Sequence, residues 1–226
     1  MGWFGKGRAA AHPAPGPFDL AWLLRHIAFY RGLGFYQGQG SFDEEQEPIG
    51  RLDDAGLAAR IIEAWGGIPA TPGWDPTDYD RFFLATDSDR VWDQDLECDA
   101  VSGNGAYVQA IQGWARISRG AFQPESIQEK WGPARKVSGT LAKDPPTDSV
   151  TVALTVSGHP HEWVVDHYDD WLNPIFLEDV NGLLASSPIR FCAFPPRDQT
   201  MTLIALTAAE RATIESARAP GLTNPF

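Results

Sequence analysis

Cysteine is scarce in this chain: only Cys98 and Cys192 occur among 226 residues, far apart in sequence. That excludes a disulfide framework and a thiolate zinc site. Cys98 stands between Glu97 and Asp99, whose charges disfavour the thiolate, and Cys192 alternates with bulky apolar residues, so both read as structural. Long apolar runs are missing too. No stretch approaches the roughly 20 residues needed to span a bilayer. The opening MGWFGKGRAAAHPAPGPF lacks the continuous apolar centre of a secretion signal, and Lys6 stands where a myristoylation pattern needs Ser or Thr. The expected location is the cytoplasm. Positive charge is in short supply: 18 Lys and Arg face 30 Asp and Glu, a formal charge of −12. Such a surface repels phosphate backbones and anionic headgroups, so no nucleic acid and no membrane is expected as a partner, and a basic protein or a cation is favoured. No GxGxxG, GxxxxGKS/T, GxSxG, HExxH or CxxC occurs. The commonest marks of nucleotide, serine-hydrolase and zinc-protease chemistry are therefore absent, and no cofactor is implied.

What is present is ordinary globular usage, 43% hydrophobic and 21% charged, which predicts a folded chain. Residues 1–17, rich in Gly and Pro, offer nothing to a core and read as a disordered tail. Leu20, Leu23, Leu24 and Ile27 recur at helical spacing up to Gly32 and Gly34, giving a first helix. The polar stretch Ser41–Gly50 reads as an exposed connection. Asp54 caps a second helix with the stripe Leu57, Ala58, Ile61, Ile62 and Trp65, stopped by Gly66 and Gly67. The run IPATPGWDPTDYD, with three prolines, reads as a loop, followed by a short strand over Arg81–Thr86. A third helix carries Tyr107, Ala110, Ile111 and Trp114 and ends at Gly120, and Pro124 with Glu125 opens a short helical turn.

The C-terminal half has the clearest pattern. Val150, Val152, Leu154 and Val156 alternate with polar or small residues, the period of a half-buried strand; Ser157–Pro160 is the turn, and Glu162–Asp166 the returning arm. Asn173 and Pro174 form a helix start ahead of Ile175, Phe176, Val180, Leu183 and Leu184. Strands at Ile189–Phe194 and Met201–Leu206 flank the turn Pro195–Asp198. Thr207 and Glu210 have capping-box spacing before a last helix ending near Arg218. The fold class expected is α+β: N-terminal helices, then an antiparallel sheet with ββαββα order from residue 149 and helices on one face. Residues 18–120 would form a mostly helical lobe with an acidic loop and 121–226 the sheet domain, or the two would be one continuous domain.

Two clusters carry candidate chemistry. Residues 75–99 hold nine carboxylates against Arg81 and Arg90. Within them Asp87, Asp89, Asp93 and Asp95 form two DxD pairs, but the glycine turn and bidentate Glu of a calcium loop are missing. Trp74 and Trp92 lie in or beside this acidic stretch, and an aromatic anchor ringed by charge is the make-up of a protein-binding hot spot. The partner-binding set expected is therefore Trp74, Asp87, Asp89, Trp92, Asp93 and Asp95, with a plain solvated acidic face as the alternative. The second cluster is His159, His161, His167 and Asp170. Strand residues two apart share a side, so His159 and His161 could ligate one metal, completed by His167 or Asp170, as in a hydrolytic centre. Against this, Gly158 and Pro160 put His159 in a turn. Nine tryptophans also admit a carbohydrate- or peptide-binding module, although those on helix stripes are explained by packing.

The last third of the chain, with DDWLNPIFLEDVNGLL, RFCAF, DQTMTLIALT and the Thr207–Glu210 cap, resembles bacterial immunity proteins, the cognate inhibitors of toxin systems. The resemblance implies a non-enzymatic binding protein and no catalytic residue. The leading expectation is a module that neutralises a basic toxin or enzyme through an acidic, aromatic surface. A metal-assisted hydrolase is the runner-up.

Overall fold

The computed structural model describes residues 19–38, 47–67, 74–135, 147–196 and 199–225. The expected tail 1–17, most of the Ser41–Gly50 connection, the loop residues 68–73 and the turn residues Arg197 and Asp198 lie outside them.

Aspartates start the N-terminal helices. Asp19 accepts from Trp22 N at the head of α1 (Leu20–Gly32), and Asp53, one residue before the expected cap, accepts from Gly56 N at α2 (Asp54–Ala64). Asp75 and Asp78 exchange hydrogen bonds as a capping box, with Pro76 in the first turn of α3 (Pro76–Leu84). This helix replaces the loop and the strand expected over Arg81–Thr86. The prolines that read as a loop include one placed where a helix accepts it, and Tyr79 with Phe83 forms a buried face at i, i+4. Strand β1 (Val91–Asp95) follows, then α4 (Ala106–Ile117) and β2 (Pro124–Arg135). The expected helical turn at Pro124 is thus a 12-residue strand. Its register shifts between Glu125 and Gln128, where Ser126 has φ 54°, and this bulge hides the two-residue period in the sequence.

From Thr147 the chain runs β3 (Thr147–Val156), β4 (His159–His167), α5 (Leu177–Leu183), β5 (Ile189–Ala193), β6 (Thr200–Thr207) and α6 (Ala208–Arg218). The class is α+β, but the strands form two antiparallel sheets instead of one: β1-β6-β5 and β2-β3-β4. The β3–β4 turn is only Ser157 and Gly158, both at positive φ (52° and 78°), so His159 already pairs with Val156 on the strand. Asn173 does not cap α5, which begins at Leu177; its side chain instead accepts from Ile175 N and donates to Asp166 O. Thr207 and Glu210 do make the expected capping box.

The sheet β1-β6-β5 is covered on both faces, not one. Ile204, Leu206, Cys192 and Phe194 join a core with Leu23 and Ile27 of α1, Leu57 of α2, Phe83 of α3 and Ile214 of α6. Met201, Leu203, Ala205 and Phe191 join the other core, with Trp114 of α4, Leu177 of α5 and Val150 and Val152 of β3. The cause is visible in β6, whose Met-Thr-Leu-Ile-Ala-Leu is buried throughout. A near-continuous apolar strand needs cover on both sides. Each core takes side chains from both sides of Gly120.

Candidate functional site

The acidic segment is divided by the fold. Asp87 is internal: its carboxylate accepts from Tyr36 N, and burial pushes its pKa up to about 6. Asp89 is half-buried against Gly38, where an added Cβ would overlap its carboxylate. Asp93 accepts from the Thr202 hydroxyl and lies 3.9 Å from Arg81. Desolvation raises its pKa. Asp95 is exposed and accepts from Glu97 N at 3.0 Å and Gln199 Nε2 at 3.3 Å. Trp92 is only 5% exposed, edge-on to Trp114 at 5.8 Å, and Trp74 is half-buried against Tyr79 and Phe82. As exposed docking residues, Asp87 and Trp92 are therefore corrected. Strand β1 turns Trp92 toward α4, and the turn before β1 folds Asp87 inward to hold the backbone at Tyr36.

The histidine cluster does not assemble. His159, His161 and His167 lie on one side of β4, but six residues separate His161 from His167, about 20 Å of strand. His161 stacks on Trp163 at 6.0 Å. His167 is buried with both nitrogens engaged: Nε2 donates to Asp169 O at 2.7 Å, and Nδ1 lies 3.3 Å from the Tyr107 hydroxyl. Asp170 instead accepts from Ala100 N through its backbone carbonyl. No group of three or more His, Cys, Asp or Glu among the described residues could hold a metal.

What the fold brings together is the end of β1 and the turn after β4. Glu97 bridges Trp171, Leu172 N donates to Leu96 O at 2.7 Å, and Ala100 N donates to Asp170 O at 2.8 Å. Asp169 takes φ 54°, a conformation that aspartate tolerates, and closes the turn that presents Tyr168 (48% exposed) and Trp171 (38%) outward. Residues 95–102 carry three carboxylates and residues 166–179 five, with no Lys or Arg in either stretch. Beside Trp171 a cavity of about 260 Å³ opens between Leu96, Phe194, Pro196, Met201 and Pro225. Charge, exposed rings and an apolar recess thus share one ridge. The sequence marks it only as DDW, which composition groups with the histidines.

A polar cluster unmarked by any motif lies in the other core. His26 Nδ1 stands 2.9 Å from Asp80 Oδ1 and Nε2 3.0 Å from the Tyr36 hydroxyl. His26 and Tyr36 are sealed from solvent and Asp80 nearly so. Burial lowers the His26 pKa against the pull of Asp80. This acid–histidine–tyrosine chain, sealed from solvent, ties α1 to α3 and to the segment after α1. Of the tryptophans expected on helix or strand stripes, Trp114 is fully buried and Trp22 and Trp163 partly, while Trp65 is half-exposed.

No helix among the described residues is long and apolar enough to cross a membrane. No protein-family profile, no curated protein and no solved structure matches the chain.

Proposed function

We propose that this chain is a non-enzymatic binding protein whose ridge at Tyr168 and Trp171 docks a basic protein, in the manner of an immunity protein that neutralises a toxin. The observation carrying this reading is the pairing of two sequence-distant stretches, 95–102 and 166–179, that hold eight carboxylates and no cation around an exposed tryptophan and an apolar recess. Like charges brought together at a surface cost stability, and an opposite partner relieves that cost. The carboxylates would speed encounter, and Trp171 with its recess would hold the complex. The absence of a metal-ligand group among the described residues gives the hydrolase alternative no support.

The test is affinity capture from native cells with the full chain and with Trp171→Ala, Asp169→Asn and Asp170→Asn combined. A protein of high pI retained by the first and lost by the second supports the reading. A partner retained equally by both, or one without basic character, overturns it.

A further inference from the structure

Strand β1 has a second face, turned to α3 and away from Trp92. Strand pairing puts Asp93 opposite Thr202 and Asp95 opposite Thr200 on that side, continuing Val91 and Ile204 outward from the helical core. The face thus turns from apolar to polar where the core ends. There a cleft of about 240 Å³ opens between α3, the sheet, Trp65 at the end of α2 and Trp74 ahead of α3. It shares only Thr200 with the recess beside Trp171 and does not rest on the docking reading.

One wall is aromatic. The Phe82 ring centroid lies 4.5 Å from that of Trp65 and 5.2 Å from that of Trp74, the spacing of rings in direct contact. Trp65 is nonetheless 50% exposed, which leaves aromatic surface for a ligand to cover. The other wall is polar. Arg81 lies 3.9 Å from Asp93 Oδ1 through its Nε, and the Thr202 hydroxyl donates to the same Oδ1. The terminal nitrogens of Arg81 and Oδ2 of Asp93 are thus left without a hydrogen bond among the described residues, in a cleft that Thr200 also lines.

Charge decides the class of ligand. Arg81 opposes a cation, while Asp78, Asp93 and the field of a chain at −12 oppose an anion. A neutral molecule is opposed by neither. To use both walls it needs an apolar face for the rings and groups that donate as well as accept, because Arg81 only donates and the Asp93 carboxylate only accepts. Hydroxyls do both, and a sugar ring joins them to a flat C–H face. The volume lies just below the roughly 300–1,000 Å³ of drug-sized pockets, room for one ring and not for a chain of them. We propose that this cleft binds one sugar ring of a carbohydrate, with its C–H face against Trp65 and Trp74 and its hydroxyls shared among Arg81, Asp93 and Thr200.

The probes are methyl glycosides of the common hexoses, xylose and N-acetylglucosamine, with choline and uridine as cationic and planar controls. Each is titrated into the full chain and followed by NMR shifts and tryptophan fluorescence. At least one glycoside should bind. Trp65→Ala, and at least one monodeoxy form of the bound glycoside, should each weaken binding about tenfold or more, whereas Trp65→Phe should keep most of it. Trp65 is half-exposed, so Trp65→Ala should melt close to wild type. No binding by any glycoside overturns the assignment. So does glycoside binding unchanged by Trp65→Ala, indifference to every monodeoxy form, or tighter binding of choline or uridine than of any glycoside.

Discussion

Trp92 and Trp171 have nearly the same neighbours in sequence: Trp92 precedes Asp93 and Trp171 follows Asp170, each in an acidic stretch with few cations. The fold gives them opposite fates. Trp92 is 5% exposed and Trp171 38%. Trp92 lies inside a regular strand, where pairing with Leu203 fixes which side it faces, and that side meets Trp114 and Gly113. Trp171 lies in a turn closed by a residue at positive φ, outside the strand alternation that buries its neighbours. Local composition reports the chemistry that a tryptophan could do; strand phase decides whether a partner ever meets it.

This contrast breaks first at Trp92. Trp92→Ala should lose about 3–5 kcal/mol of unfolding free energy, as buried aromatic truncations do, measured by urea denaturation; a loss near that of a surface site would put the ring outside. Asp87 tests the same inward folding through pH. Its folded pKa of about 6 lies above the ordinary 3.8, so the folded chain keeps a proton that the unfolded chain has released. Its contribution to stability is full below about pH 4 and is lost as pH rises through about 6. Relative to wild type, Asp87→Asn should therefore gain on the order of 3 kcal/mol between pH 4 and pH 7, and a difference that is flat with pH would place Asp87 in solvent. Gly113→Ala sharpens the picture of Trp92: a methyl forced against its ring should cost about 1–3 kcal/mol. The smallest effect belongs to the histidines. His159→Ala with His161→Ala should change stability by about 0.5 kcal/mol or less, and elemental analysis should find no zinc lost with them.

The sequence was legible where pattern and environment agree. The β3–β4 hairpin alternates because sheet β2-β3-β4 buries one face, and the Thr207–Glu210 cap needs only local bonds. It was misleading where the environment is two-sided or interrupted. β6 reads correctly as a strand but its cover on both faces does not show, β2 is broken at Ser126, and the prolines around Asp75 concealed a helix start. The candidate site was harder still. Its acids and aromatics were all visible, but the pairing of Leu96 with Leu172 and of Glu97 with Trp171 spans more than seventy residues and leaves no local trace. The His26–Asp80 contact has the same character, joining α1 to α3 through single residues outside any motif.

The docking claim is tested most directly by the kinetics of the captured partner on wild type and Trp171→Ala across a salt series. Wild-type association should slow as salt screens the eight carboxylates, while Trp171→Ala should keep that salt dependence and dissociate faster, losing about 2 kcal/mol or more of affinity. Association indifferent to salt, together with unchanged dissociation of Trp171→Ala, would contradict the account.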